Sequence, residues 1–120
     1  MDKPMKMSFQ ESKTNNIPIQ VDDLLFKEVE LPPFFDGRTE IHFHLNDVYI
    51  IVAGEAQVVV GKEFEGGIEI EDGEIRDCVI KAPIEYNITK GDIFIVPGGF
   101  AHKVITGSKG LIQYVVKYPL

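Results

Sequence analysis

The chain has 120 residues, with nineteen Asp and Glu against twelve Lys and Arg, three histidines and one cysteine. A domain of this length buries roughly two thirds of the surface its unfolded chain exposes, so a core can form without disulfides, and a single thiol permits no internal one. The net charge of −7 argues against nucleic acid and anionic membrane surfaces as partners, since both require cationic patches. No stretch approaches the ~20 apolar residues of a membrane span. The first residues carry two lysines without a following apolar run, so no signal peptide is expected, and a cytoplasmic location is.

Residues 1–16 are polar and show neither a helical nor a strand stripe, which predicts a loose N-terminal arm ahead of a single domain over 17–120. From Ile17 onward, short apolar or alternating segments run over 17–21 and 24–31, up to the Pro32-Pro33 break. They continue over 40–45, 48–53, 56–60, 68–70, 75–80, 84–89, 93–96, 103–106 and 111–116. Turn residues divide them: Asn46-Asp47, Gly54-Glu55, Gly61-Lys62, Gly66-Gly67, Asp72-Gly73, Lys90-Gly91, Pro97-Gly98-Gly99 and the run from Gly107 to Gly110. Many short strands with frequent tight turns predict an all-β antiparallel barrel or jelly roll.

Segments 48–53 and 111–116 are apolar on both faces, which predicts a cover on the outside as well. A second subunit is the expected cover, giving a homodimer; wrapping by the N-terminal strands is the alternative. Cys78 reads as a buried strand thiol. The acidic residues Glu63, Glu65, Glu69, Glu71, Asp72 and Glu74 lack calcium-loop spacing and read as a solvated hairpin face.

All three histidines fall in two segments, Gly37-Arg-Thr-Glu-Ile-His42-Phe-His44-Leu-Asn-Asp47 and Gly91-Asp-Ile-Phe-Ile-Val-Pro97-Gly-Gly-Phe-Ala-His102. Imidazole is the commonest protein ligand for a transition metal, so this distribution predicts a metal site. Alternation along a strand puts His42 and His44 on one face, and His102 joins them if the sheet curls back on itself. In the second segment, Pro97 ends a strand and Gly98-Gly99 permit the reversal that aims His102 inward.

The second segment, a glycine, five residues and then Pro-x-Gly-x-x-His, resembles the second motif of the cupin superfamily. Gly37, His42, His44, Asp47 and Gly54 resemble its first motif, with Asp for the family's Glu and a shortened spacing on either side of the His-x-His pair. The resemblance covers Gly37 to His102 and implies an antiparallel double-stranded β-helix, commonly dimeric, with one divalent metal in its mouth. Its ligands would be His42, His44, His102 and Asp47. Asp47 otherwise caps a turn, with Glu40 as the substitute ligand or else a solvated strand start.

Such a donor set suits Fe, Mn, Ni, Co, Cu or Zn and leaves coordination positions open. The resemblance therefore implies a metal-dependent dioxygenase, decarboxylase, lyase or isomerase acting on a small, oxygen-bearing, anionic metabolite. A non-enzymatic small-molecule binding or sensor module is the alternative. Tyr49, on the inward parity of Asp47, is a candidate hydrogen-bond donor to a substrate oxygen or else a core residue, and Phe43, Phe94 and Phe100 read as core.

Overall fold

The computed structural model describes residues 2–120. One short helix, α1 (Phe9–Asn15), precedes eleven strands: β1 (Ile19–Val21), β2 (Leu24–Leu31), β3 (Glu40–His42), β4 (Leu45–Gly61), β5 (Glu63–Glu65), β6 (Ile68–Glu71), β7 (Glu74–Arg76), β8 (Val79–Lys81), β9 (Ile84–Thr89), β10 (Ile93–Val96) and β11 (Ala101–Pro119). All the pairings are antiparallel. No helix among the described residues is long and apolar enough to cross a membrane.

Two long strands organise the molecule. β4 and β11 pair along nearly their whole length, from Ala101 opposite Gly61 to Pro119 opposite Leu45. The Gly54-Glu55 and Gly107 to Gly110 segments, expected as turns, instead form a bend within this ribbon. Residues 107–110 bulge out between the Thr106–Ala56 and Leu111–Gly54 pairs. Gly54 (φ +83°) and Gly110 (φ +68°) are both left-handed, and a Cβ on Gly54 would collide with the Gly110 carbonyl oxygen. Only glycine lets the two backbones come this close while turning.

Folding the ribbon over itself makes two facing sheets. One contains β1, β2, the C-terminal half of β11, the N-terminal half of β4, and β10; the other contains β9, the remaining halves of β4 and β11, β3, β7 and β6. Between them lies a core including Tyr49, Ile51, Val58, Ile88, Val96, Leu111 and Val115. β5 and β8 form a separate two-stranded sheet, and beneath it Cys78 packs with Ile41 and Ala101, buried as expected. Burial pushes its thiol pKa up, away from reactivity.

The expected loose arm is in part a docked helix. Ser8 caps α1 by accepting from the Gln10 N–H, and Asn16 ends it in the left-handed conformation. The Ser12 hydroxyl, fully buried, accepts from the Glu28 backbone N–H at 3.0 Å and donates to the Phe9 carbonyl at 2.7 Å. Phe9 stacks on Tyr114 at 3.9 Å and meets Phe26 edge-on. The helix has one turn's worth of apolar contact, too little to register as a stripe in the sequence; strands β2 and β11 supply the other half.

Candidate metal centre

Strand pairing assembles the centre from three facing couples. Glu40 on β3 stands opposite His102 on β11, His42 on β3 opposite Glu74 on β7, and Asp47 on β4 opposite Lys117 on β11. Paired residues share a sheet face, so each couple points inward together. The bend at Gly54 and Gly110 then lays the His102 half of the ribbon over the Asp47 half, bringing His102 Nε2 within 3.6 Å of Asp47 Oδ2.

Both imidazoles are held by their Nδ1 atoms. His42 Nδ1 lies 2.6 Å from Glu74 Oε1, and His102 Nδ1 lies 3.0 Å from the Phe100 carbonyl oxygen, which a ring N–H must donate to. Their Nε2 atoms therefore face the centre. His42 Nε2 sits 3.3 Å from both Glu40 Oε2 and Asp47 Oδ2, and His102 Nε2 is buried with no hydrogen-bond partner among the described residues. Glu40, His42 and His102 offer ligand atoms all within 4.8 Å of one another, with Asp47 beside them.

An orphaned, buried ring nitrogen aimed at two carboxylates fits a divalent cation. Ring nitrogens fixed from behind by a carboxylate and a carbonyl are the usual support of imidazole ligands.

Of the four residues expected as ligands, His42, His102 and Asp47 come together and His44 does not. β3 ends at His42, so Phe43 and His44 form a link between strands and the alternation that would align His44 with His42 is broken. The His44 side chain is 66% exposed, with Nε2 3.4 Å from Asp72. Its ring packs on Gly73, where any Cβ would strike it. His44 thus stands on the rim, and it is Glu40 that lies with His42 and His102.

Asp47 is not at a hairpin tip but inside β4, only 1% exposed, and points into the centre; its neighbour Asn46 caps the turn between β10 and β11, accepting from the Gly98 N–H at 2.9 Å. That turn, Pro97 to Phe100 with Gly99 at φ +89°, is tied to β3 by a Gly99 N–H bond to the His42 carbonyl at 2.8 Å. The glycine-rich turn therefore aims His102 while fixing the end of the strand that carries His42.

Glu74 changes role, and Tyr49 takes the core place that was its alternative. Glu74 was expected on a solvated face but is half-buried, bonding His42 and receiving Arg76 at 3.2 Å. Only the β3–β7 register reveals it, because acidic residues surround it in sequence. Tyr49 is buried, and its hydroxyl donates to Asp47 Oδ2 at 3.4 Å, orienting that carboxylate from behind. Phe94 and Phe100 pack on the core, whereas Phe43 is partly exposed.

The carboxylates of the centre are offset by the protein's own cationic groups, Lys117 and Arg76. Burial alone would lower His42, but Asp47 and Glu40 at its Nε2 outweigh that and raise it from 6.5 to about 9. Burial opposes ionisation of Glu40 too, yet His42 and Arg76 bring it down to about 2. Asp47 is likewise held well below the usual carboxylate range by His102, His42 and Lys117 against the cost of burial. Lys117 Nζ lies 2.8 Å from Asp47 Oδ1 and 3.3 Å from His42 Nε2, so a protein cation already reaches the edge of the site.

No family model and no curated protein matches the sequence. Solved structures do match in shape. A Bacillus halodurans protein aligns over 99% of this chain and 83% of its own with a TM-score of 0.68 at 19% identity. A double-stranded β-helix protein from Klebsiella pneumoniae aligns over 95% and 84%, with a TM-score of 0.64 at 20% identity. The cupin domain of Schizosaccharomyces pombe Cnp3 aligns over 85% of this chain and 60% of that one, with a TM-score of 0.63 at 16% identity. The fold is that of the cupins.

The cupin barrel encloses a cavity of about 660 Å³ that opens beside the centre and is lined by Glu40, His42, Asp47 and His102 at one end and by the apolar side chains of β2 and β11 at the other. Arg38, Arg76, Lys103 and Lys117 also border it. Each of these four is paired with a carboxylate, Arg38 with Asp77, Arg76 with Glu74, Lys103 with Asp36 and Lys117 with Asp47.

Proposed function

We propose that this cupin barrel binds one divalent transition metal through His42, His102, Glu40 and Asp47 and acts on a small, oxygen-bearing, anionic metabolite held in the adjoining cavity. The observation that carries the reading is the convergence of two buried Nε2 atoms, one of them unpartnered, on two carboxylates at the mouth of a pocket large enough for a metabolite. A bound divalent ion would supply Lewis acidity toward a substrate oxygen, the chemistry shared by decarboxylases, lyases and isomerases, and with iron or copper it would add oxygen activation. Around it, Glu74 and the Phe100 carbonyl fix the two imidazoles, Tyr49 orients Asp47, and Lys117 pairs with Asp47 at the edge of the site.

A second reading has its own observation. Lys117 reaches both Asp47 and His42 Nε2, so its ammonium can neutralise the centre without a metal, which suits a non-enzymatic binding or sensor barrel. The two readings separate on reconstitution. Protein stripped of metal and reloaded with Fe(II), Mn(II), Ni(II), Co(II), Cu(II) or Zn(II) is assayed for oxygen uptake and turnover across a carboxylate and keto-acid panel. The enzymatic reading expects turnover with at least one ion and none in the stripped protein. Absence of turnover with every ion, together with ligand-induced thermal shifts in stripped protein, would establish the binding module.

A further inference from the structure

The inner face of β11 presents Lys117, Val115, Gln113 and Leu111 in succession, each paired across to β2 at Leu25, Lys27, Val29 and Leu31. Lys117 belongs to the metal centre; two residues further along, at ~7 Å by strand rise, comes the Lys27–Val115–Tyr49 row, and at ~13 Å the Val29–Gln113–Ile51 row. Two polar groups in these deeper rows have no partner. Gln113 is 4% exposed and its Oε1 is buried without a hydrogen bond among the described residues. Lys27 lines the same cavity and, unlike Arg38, Arg76, Lys103 and Lys117, makes no ion pair among the described residues.

Lys27 and Gln113 are diagonal neighbours on one sheet face, close enough for one small molecule to touch both. An unpaired ammonium in a cavity wall calls for an anion, and a buried carbonyl oxygen without a donor calls for an N–H or O–H. Their surroundings, Val29, Leu31, Val115 and the ring of Tyr49, are apolar and would accept a carbon skeleton.

We propose that Lys27 and Gln113 form a recognition subsite for a hydroxylated carboxylate, the carboxylate pairing with Lys27 and a hydroxyl on the same carbon chain donating to Gln113 Oε1. This deepens the reading above by naming the ligand class and rests on it only in taking the cavity as a ligand site. A site built to hydrogen-bond a hydroxyl discriminates sharply against the analogue lacking it, because that analogue leaves the buried group unpaired.

Calorimetric titration of the full chain, both metal-stripped and metal-loaded, with gluconate, hexanoate and the neutral polyol sorbitol tests the subsite. Wild type is expected to bind gluconate at least about tenfold more tightly than hexanoate, with sorbitol not binding. Gln113→Leu should erase the preference while leaving hexanoate affinity and the ligand-free melting temperature no lower than wild type. Lys27→Met should weaken both carboxylates about tenfold or more. Both variants should retain wild-type metal content, so failure of the metal reading shows as absent metal while carboxylate binding by stripped protein still reports on the subsite. A preference that survives in Gln113→Leu, unchanged affinity in Lys27→Met, or no carboxylate binding by either form would overturn the proposal.

Discussion

His42 shows how one side chain is suited to two partners in turn. Without metal, its ring is held between Glu74 at Nδ1 and Glu40 and Asp47 at Nε2, which raises its pKa to about 9. A raised folded-state pKa contributes stability that is fully present below 6.5 and lost as pH climbs to about 9; Glu40, lowered to about 2, contributes stability present above 4.5 and lost as pH falls toward 2. The stripped protein should therefore be most stable between these limits, from pH 4.5 to 6.5, with His42 adding on the order of a few kcal/mol there. A coordinating imidazole must be neutral, so metal should move the stability maximum to higher pH and be released in mild acid. Urea denaturation across pH with and without a chelator measures both curves. A stripped protein that keeps gaining stability beyond pH 9 would mean that the carboxylates do not hold His42 as the geometry shows.

At the level of elements, turns and bends place the centre more than strand propensity does. The two segments with the histidines could be read from the chain, as could the glycine-rich turn ahead of His102, because Pro and Gly mark backbone reversals locally. What could not be read was where β3 stops. Residues 40–45 alternate well enough for a strand, yet the chain leaves the sheet after His42, held by the Phe43 N–H bond to Gly73 and the Gly99 N–H bond to the His42 carbonyl. Those are contacts with distant residues, and no local pattern encodes them. Glu74 was hidden for the same reason, since its inward aim follows from register with β3, whereas Glu40 was legible as the substitute ligand from its parity with His42. The continuous β4–β11 ribbon was hidden because Gly54 and the Gly107 to Gly110 run are turn signals that tertiary pairing converts into a bend.

These glycines differ in a measurable way. Gly54→Ala puts a methyl group into the Gly110 backbone at positive φ and should cost about 3 kcal/mol or more, or prevent folding. Gly99→Ala meets nothing nearer than Phe43 Cδ1 at 4.0 Å, so only the backbone preference opposes it, about 1 kcal/mol. Chemical denaturation of the two variants gives the comparison; equal costs would contradict the role assigned to the bend. Ser12→Ala, which leaves the Glu28 N–H unpaired under α1, should cost about 1 to 2 kcal/mol by the same measurement.

Across the whole molecule, the outer face of the first sheet is covered unevenly. α1 lays Phe9 over Tyr114 and Phe26, so the N-terminal segment covers part of the face that sequence left apolar. The adjoining strip over β4 and β10 pairs Ile50 with Ile93 and Val48 with Ile95, and there Ile93 is 66% and Ile95 53% exposed. A second copy of the chain packed on this strip would bury it, and we propose the homodimer on that basis. Sedimentation equilibrium should give a dimer mass for wild type and a monomer for Ile93→Lys/Ile95→Lys; a wild-type monomer at all concentrations would remove the proposal.

The proposed single ion, held by two imidazoles and two carboxylates, is tested most directly by the metal-to-chain ratio of purified variants, measured by elemental analysis after dialysis. About one divalent ion per chain is expected for wild type and for His44→Ala, none for His42→Ala or His102→Ala, and reduced retention for Glu40→Gln and Asp47→Ala. Metal lost on removing His44, or kept on removing His42 and His102, would contradict the proposal.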